Sequence, residues 1–163
     1  MNVLVITNDS TVFRYEEASA EEMFGGRVTE VRNLKNRLSE KCNTLFSIIS
    51  GKYGLIPGNE KIVKYSYVPD SLSEYSETEK RTGFAKAVSD ATKDFDVTLI
   101  FIPKEMFRMI IKEQLHGTVI AATSLEFKEQ FQRNGGRFYE RKGARIGKQN
   151  AEDIVNFIFS SLS

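Results

Sequence analysis

Short apolar runs rich in β-branched residues alternate along this chain with longer segments whose apolar residues recur at helical spacing. This alternation is typical of β-α units built around a mainly parallel sheet. It predicts strands at 3–7, 27–32, 44–50, 97–102 and 118–122. Three of these runs are apolar almost throughout, as in central strands covered by helices on both faces. We therefore expect burial of Leu4, Ile6, Leu45, Ile48, Leu99 and Phe101.

Helices are predicted between these strands from capping residues and apolar stripes. The first is expected at 10–24, closed by two glycines, and a charged helix is expected at 34–41. A capping box at Ser76 predicts a helix that continues to Phe95. Further helices are expected after Pro103, after Thr123 and at the end of the chain, where Asn150 is the predicted N-cap.

These elements predict a three-layer α/β sandwich with a mostly parallel sheet of about five strands, flavodoxin-like order being the first choice. A chain of 163 residues can bury one sizeable core, and no linker or repeat divides it, so a single domain over 1–163 is expected. One Cys and one His cannot supply a four-ligand Cys/His zinc cage, so no structural zinc site is expected.

Charge and hydropathy limit the partners that we expect. A formal net charge of +1 gives no global attraction for nucleic acid or an anionic membrane. No apolar stretch approaches the length of a bilayer span, and the apolar run at the N-terminus is too short for a signal peptide. A cytoplasmic protein is the expectation.

Polar residues follow the first predicted strand at Asn8, Asp9, Ser10 and Thr11. Ligands of open parallel sheets bind beyond the carboxyl ends of the strands. If a helix begins here, its N-terminus and these hydroxyls could hold an anion, whereas Asp9 or Ser10 could simply cap that helix. Both alternatives stay open.

The most specific local motif follows the third strand and contains Ser50, Gly51, Lys52, Tyr53 and Gly54. Glycines permit a tight turn and close approach of a ligand, lysine supplies a charge for phosphate or carboxylate, and tyrosine offers a stacking face. The alternative is a plain turn with an exposed lysine and a packed tyrosine.

A basic segment at 137–148 precedes the last predicted helix. Its glycines and guanidinium groups suit an anion clamp, for which Arg145 and Lys148 are the candidates, and a solvated loop is the alternative. As solvent-facing residues, they should be replaceable with little change in stability. We find no dinucleotide, P-loop or nucleophile-elbow motif, so no catalytic residue is assigned and the cofactor is unknown, FMN being one candidate.

The stretch Ser50-Gly51-Lys52-Tyr53-Gly54-Leu55-Ile56-Pro57, with Glu60-Lys61-Ile62-Val63-Lys64-Tyr65 after it, resembles a family of small prokaryotic domains of unknown function. That family has Ser-Ala-x-Tyr-Gly-Leu after a strand, then an acidic residue, an apolar residue and Tyr. The chain is also distantly similar to the auxiliary α/β domain of archaeosine synthase. The resemblance implies a nucleoside or nucleobase ligand, and implies that the site is lined by Ser10, Ser50, Tyr53, Gly54 and Tyr65.

Together these features predict that the protein binds a phosphorylated or nucleoside-like small molecule at the strand carboxyl ends, with hydrolysis or group transfer as candidate reactions. Residues 8–10 and 50–53 should line one crevice, with Lys52 facing a helix N-terminus across it. The alternative function is a non-catalytic module that forms a homo-oligomer or binds a partner through the tyrosine-rich segment 51–75.

Overall fold

The computed structural model describes residues 1–162. Strands and helices follow one another in the order β1 (Asn2–Asn8), β2 (Glu17–Ser19), α1 (Ala20–Met23), α2 (Thr29–Leu38), β3 (Asn43–Ser50), β4 (Gly54–Pro57), β5 (Lys61–Val63), α3 (Leu72–Thr82), α4 (Phe84–Thr92), β6 (Val97–Phe101), α5 (Lys104–Ile110), β7 (Thr118–Thr123), α6 (Lys128–Arg133), β8 (Arg137–Glu140) and α7 (Lys148–Ser160).

Within residues 1–162 the main sheet has six strands in the order β4-β3-β1-β6-β7-β8, and β2 pairs separately with β5. All neighbours in the main sheet are parallel except β3 and β4, which pair antiparallel at one edge. Taken in chain order, the parallel strands are arranged 2-1-3-4-5, which is the flavodoxin-like order. The predicted α/β fold with a mostly parallel sheet is confirmed.

The core has two halves, one on each face of the main sheet. Val3 and Val5 of β1 face the layer that contains α1, α2 and α7. Leu4 and Ile6, one position along, face the layer that contains α3, α4, α5 and α6. Because successive side chains of a strand point to opposite faces, an unbroken apolar run supplies both halves and produces a three-layer sandwich.

The first predicted helix, at 10–24, is wrong over most of its length. The chain there is extended, and the Arg14 N–H donates to the Met23 carbonyl oxygen at 2.7 Å. Helix α1 occupies the end of the segment. The ring of Phe13 packs against that of Phe24 at 5.1 Å, so a tertiary contact overrides the local helical preference of this acidic stretch.

The strand predicted at 27–32 is also wrong, because these residues belong to a 3₁₀ turn and to α2. The buried apolar residues are Val28, Val31, Leu34 and Leu38, at intervals of three and four. That spacing places them on one side of a helix. A single helix thus replaces the predicted strand and the charged helix that was expected after it.

The helix predicted from Ser76 begins earlier, where the Ser71 Oγ accepts a hydrogen bond from the Glu74 N–H at 3.3 Å. It is also divided in two. Gly83 has a φ of +68°, in the left-handed region that glycine adopts without strain, and it ends α3 immediately before α4.

Of the six apolar side chains expected to be buried, five are buried and Leu45 is 53% exposed. Leu45 pairs in register with the buried Leu4, but it lies one strand nearer the edge of the sheet. The edge strand β4 pairs with β3 only from Ser47 onward, so it does not extend to Leu45.

The C-terminal part contains a strand that the sequence did not predict, β8, which pairs with β7. Asn150 is not the N-cap of α7 but lies in its first turn, where its Oδ1 accepts from the main-chain N–H groups of Lys142 at 2.9 Å and Gly147 at 3.3 Å. None of the helices within residues 1–162 has the length and apolar composition needed to cross a membrane.

Candidate functional site

The loop after β1 lies directly beside the loop after β3. Asn8, the last residue of β1, is in register with Ile49. The N–H of Asp9, which follows it, donates to the Ile49 carbonyl oxygen at 3.1 Å. Residues 8–10 and 50–53 therefore meet at the carboxyl end of the sheet. This juxtaposition was predicted, and it follows from the parallel pairing of β1 with β3.

Asp9 places a buried carboxyl group at this meeting point, with 1% of the residue exposed. Its Oδ2 accepts hydrogen bonds from the Gly51 N–H at 2.8 Å and from the Tyr65 hydroxyl at 2.6 Å. Burial raises the pKa of Asp9 to about 6, although both hydrogen bonds and the positive charge of Arg145 act in the opposite direction. A carboxyl group with this pKa can exchange a proton near neutral pH.

Ser50 fixes the direction of the hydrogen bonds that lead to Asp9. Its Oγ accepts from the N–H groups of Lys52 and Tyr53, both at 3.1 Å, and lies 2.8 Å from the Tyr65 hydroxyl oxygen. A hydroxyl has two acceptor positions, and the two N–H groups occupy both. Ser50 must therefore donate to Tyr65, and Tyr65 in turn donates to Asp9.

Tyr65 contributes its hydroxyl to the site, whereas its ring is packed in the interior. The ring contacts those of Phe13 at 5.0 Å, Tyr53 at 6.0 Å and Phe24 at 6.2 Å. Burial, followed by the charge of Asp9, raises the pKa of Tyr65 above its ordinary range. Tyr65 is thus a neutral hydrogen-bond donor and not a stacking face for a ligand.

Residues 64–70, which we call the strap, cross over the ends of β1 and β3. Tyr65 anchors the strap to Asp9. Pro69 packs so closely on Gly51 that a Cβ atom at position 51 would overlap the proline ring. The close approach that Gly51 permits is therefore made by the protein's own chain, which removes the expected close contact between Gly51 and a ligand.

The strap separates two openings at the surface. On one side lies the strand-end cleft, a cavity of about 420 Å³ that includes the strap residues Val68, Pro69 and Asp70. On the other side lies the outer groove, of about 530 Å³, which includes Tyr65, Ser66 and Tyr67. Residues 8–10 line only the first of these openings and Gly51 and Lys52 line only the second, so the single crevice predicted from the sequence is divided.

Asn8 is a residue of the strand-end cleft whose side chain has an unpartnered polar atom. The residue is 3% exposed, and within residues 1–162 no donor is hydrogen-bonded to its Oδ1. Buried polar atoms in proteins are nearly always hydrogen-bonded, and each exception calls for an explanation. Because Asn8 also lines the cleft, its unpartnered oxygen is a candidate hydrogen-bond acceptor at this site.

Arg145 is buried beneath the same cleft, which corrects the expectation that it faces solvent. Its guanidinium donates to Thr7 Oγ1 at 3.0 Å, to the Asn8 carbonyl oxygen and to the Asp9 carbonyl oxygen at 2.6 Å. Burial lowers the pKa of Arg145 to about 10, so the group remains a cation at neutral pH. It holds the end of β1 and brings a positive charge to the cleft.

Two further residues that the sequence analysis did not select also line this cleft. Arg27 lies near enough to Arg145 for its charge to contribute to the lowered pKa of that group. Tyr75 of α3 is buried and lines the cleft, as does Pro103 at the start of α5. The side chain of Asp70 adds a carboxylate at the rim.

The expected pairing of Lys52 with a helix N-terminus is absent. Residues 8–12 lead into extended chain, so no helix in the described part of the chain begins there. The Lys52 ammonium lies 5.1 Å from the centre of the Tyr53 ring and borders the outer groove, away from Asn8. Gly54, with a φ of +75°, packs against Thr82, which gives it a structural role.

The basic segment is not one patch. Arg137 stacks on the ring of Phe157 at 3.6 Å, and Arg141 donates to the Ile102 carbonyl oxygen at 2.8 Å. Lys148 is exposed in the first turn of α7 and does not line the cleft. Of the two residues proposed for an anion clamp, the fold brings only Arg145 to the strand ends.

Arg27 and Tyr75 were missed for identifiable reasons. Arg27 was assigned to a strand, which would have placed it at the other end of a β-α unit. Tyr75 is the last residue of the tyrosine-rich segment 51–75, and its location depends on how α3 packs on the sheet, which the sequence pattern does not show. With Ser71 as the N-cap of α3, Tyr75 lies near the start of that helix and is its first buried residue.

Comparisons with protein-family models, with curated proteins and with solved structures found no match.

Another cavity, of about 480 Å³, lies at the opposite end of the sheet between the start of β7 and the end of α6, where Gly117, Val119, Phe131 and Gly136 line it. Ligands of open parallel sheets bind at the carboxyl ends of the strands, so the strand-end cleft is the candidate site.

Proposed function

We propose that the protein binds a phosphorylated or nucleoside-like small molecule in the strand-end cleft. The observation that carries this proposal is the unpartnered side-chain oxygen Oδ1 of Asn8, a buried residue that lines a cleft of about 420 Å³. An amide oxygen in this position is an acceptor for a ligand N–H or O–H group. Nucleobases and sugars both carry such donors.

The charges around the cleft support an anionic group on the ligand. Arg145 and Arg27 line it, and guanidinium groups bind phosphate with directed hydrogen bonds. Tyr75 adds a buried aromatic side chain beside them, which suits a ring or a sugar. The resemblance of the 50–65 segment to prokaryotic domains and to the auxiliary domain of archaeosine synthase favours a nucleoside portion.

Asp9 makes hydrolysis or group transfer the reaction classes to examine. Asp9 lines the cleft, and burial raises the pKa of its carboxyl group to about 6, within the range useful for general acid or base action. The proposed setting is the cytoplasm, in keeping with the free, buried thiol of Cys42.

Isothermal titration with adenosine, adenosine 5′-monophosphate, ribose 5-phosphate, FMN and inorganic phosphate tests the proposal. We expect a phosphorylated member of this panel to bind, and Asn8→Leu to weaken its binding about tenfold or more through the loss of one hydrogen bond. Lys52→Ala is the matched control, because Lys52 borders the outer groove, and it should leave the affinity unchanged. Absence of binding by every member, or equal affinity of Asn8→Leu and wild type, contradicts the proposal.

A second candidate function, self-association or partner binding through segment 51–75, is favoured by two exposed aromatic side chains. Tyr53 and Tyr67 are each 40% exposed, although Tyr65 and Tyr75 are buried. Exposed tyrosines are common in the centres of interfaces. Light scattering of the wild type and of a Tyr53→Ser/Tyr67→Ser double variant tests this function, since a dimer that becomes monomeric in the variant would support it.

A further inference from the structure

Asp9 and Arg145 bring a carboxyl group and a cationic group together at the strand-end cleft, and the charge of Arg145 acts on the carboxyl group of Asp9. Both residues line the cleft, and the Arg145 guanidinium donates to the main-chain oxygen of Asp9 at 2.6 Å. We propose that binding of an anionic ligand in the strand-end cleft is coupled to the uptake of one proton by the Asp9 carboxyl group. Asp9 thereby becomes a donor to the ligand. This inference rests on the proposed function.

Like charges in a confined cleft provide the physical reason. Two charges of one sign that lie close together repel much more strongly in a cleft with little water than in bulk water. An anion that binds beside Arg145 would meet this repulsion from an ionised Asp9, which is almost excluded from water. Protonation removes the repulsion and replaces it with an O–H donor.

The hydrogen-bond directions around Asp9 determine which oxygen takes the proton. Ser50 donates to Tyr65 and Tyr65 donates to Asp9 Oδ2, because the N–H groups of Lys52 and Tyr53 already fill the acceptor positions of Ser50. Oδ2 also accepts from the Gly51 N–H. A proton on Oδ2 would oppose both donors, so it goes to Oδ1, and Tyr65 and Ser50 act as positioning residues.

The other ionisable groups near Asp9 lie on the separate segments that are packed around it. Tyr65 lies on the strap, Tyr75 on α3, Arg145 on the loop before α7, and Asp70 and Arg27 line the cleft. Burial raises the pKa of both tyrosines, so they stay neutral, and Arg145, with a pKa of about 10, stays cationic. Asp70 is exposed at the rim, where its hydrogen bond with Glu74 raises its pKa. Asp70 is therefore the carboxyl group that the experiment must separate from Asp9.

Sulfate is the probe for the test, because it keeps the same charge from about pH 5 to about pH 8, so that protons taken up on binding belong to the protein. Titration calorimetry in buffers of different ionisation enthalpy counts those protons. We expect close to one proton per sulfate at about pH 7, and an affinity that falls by up to about tenfold per pH unit above about pH 6. Asp9→Asn should abolish both effects, whereas Asp70→Asn should retain them.

Tyr65→Phe separates proton coupling from a purely structural role. Removing the Tyr65 hydroxyl removes a hydrogen bond that lowers the pKa of Asp9, so the pH midpoint of sulfate affinity should move upward. If sulfate is too weak a probe, adenosine 5′-monophosphate replaces it, and the difference between wild type and Asp9→Asn cancels the ligand's own protons.

The two proposals fail in different ways. Binding without proton uptake, or uptake that persists in Asp9→Asn, overturns the coupling and leaves the proposed function intact. If neither sulfate nor any phosphorylated ligand binds at any pH, the proposed function is overturned and the coupling with it.

Discussion

The hydroxyl of Tyr65 donates a hydrogen bond of 2.6 Å to the carboxylate of Asp9, although the two residues are 56 positions apart in the chain. Asp9 directly follows the first parallel strand, and Tyr65 lies in the strap that crosses over the end of that strand. The bond therefore joins the end of the sheet to the segment that separates the strand-end cleft from the outer groove. Ser50, which donates to Tyr65, extends this connection to the end of β3.

Tyr65→Phe should destabilise the fold by about 1–3 kcal/mol, because Ser50 and Asp9 each lose a buried hydrogen-bond partner. Urea unfolding measures the free energy. Tyr53→Phe is the matched control, since Tyr53 is 40% exposed, and it should change the free energy by less than about 0.5 kcal/mol. Equal effects of the two variants would argue against the hydroxyl chain.

Asp9 should make stability depend on pH. Its pKa is about 6 when folded and about 3.9 when unfolded, so its contribution to stability is fully present below about pH 4 and is lost as the pH rises through 6. Relative to Asp9→Asn, the wild-type free energy of unfolding should fall by about 2 kcal/mol between about pH 4 and about pH 7. Urea unfolding across this range measures the difference.

The exposed Asp94 provides the control for this pH dependence, and Asp94→Asn should follow the wild-type curve. A difference between wild type and Asp9→Asn that is constant with pH would contradict the raised pKa of Asp9.

Arg145→Met should destabilise the protein by about 2–5 kcal/mol, because it leaves the carbonyl oxygens of Asn8 and Asp9 buried without this donor. Lys148→Met, a change of the same kind at an exposed position, should stay within about 0.5 kcal/mol of wild type. Thermal and urea unfolding of both variants measure the contrast. A small effect of Arg145→Met would show that the guanidinium does not hold the end of β1.

Asn8→Leu should leave the free energy of unfolding unchanged or raise it by about 1–3 kcal/mol, because it removes a buried oxygen that lacks a donor. The same variant should weaken ligand binding. Urea unfolding and isothermal titration of one preparation measure both quantities. A variant that loses stability and affinity together would indicate a structural role for the Asn8 amide.

The sheet could be predicted from the sequence because its central strands are apolar on both faces. In a small domain, a short run of this kind fits best as a central strand that helices cover on both faces. The meeting of residues 8–10 with residues 50–53 followed from that sheet. The extended chain at 12–16 could not be predicted, since it depends on the contact of Phe13 with Phe24. Local propensity alone favoured a helix there.

The burial of Arg145 also lay beyond the sequence pattern. Charged residues in glycine-rich loops usually face solvent, and only the fold shows that the end of β1 offers three oxygen atoms to this guanidinium. The two helices of one sequence segment, α3 and α4, depend likewise on Gly83, which the apolar stripe alone did not identify as a break.

A crystal structure of the protein with the tightest-binding member of the ligand panel tests the central claim most directly. We predict ligand density in the strand-end cleft, with a donor of the ligand within hydrogen-bond distance of Asn8 Oδ1 and its anionic group on the side of Arg145 and Arg27. Density in the outer groove beside Lys52, or in the cavity at the opposite end of the sheet, would contradict the claim.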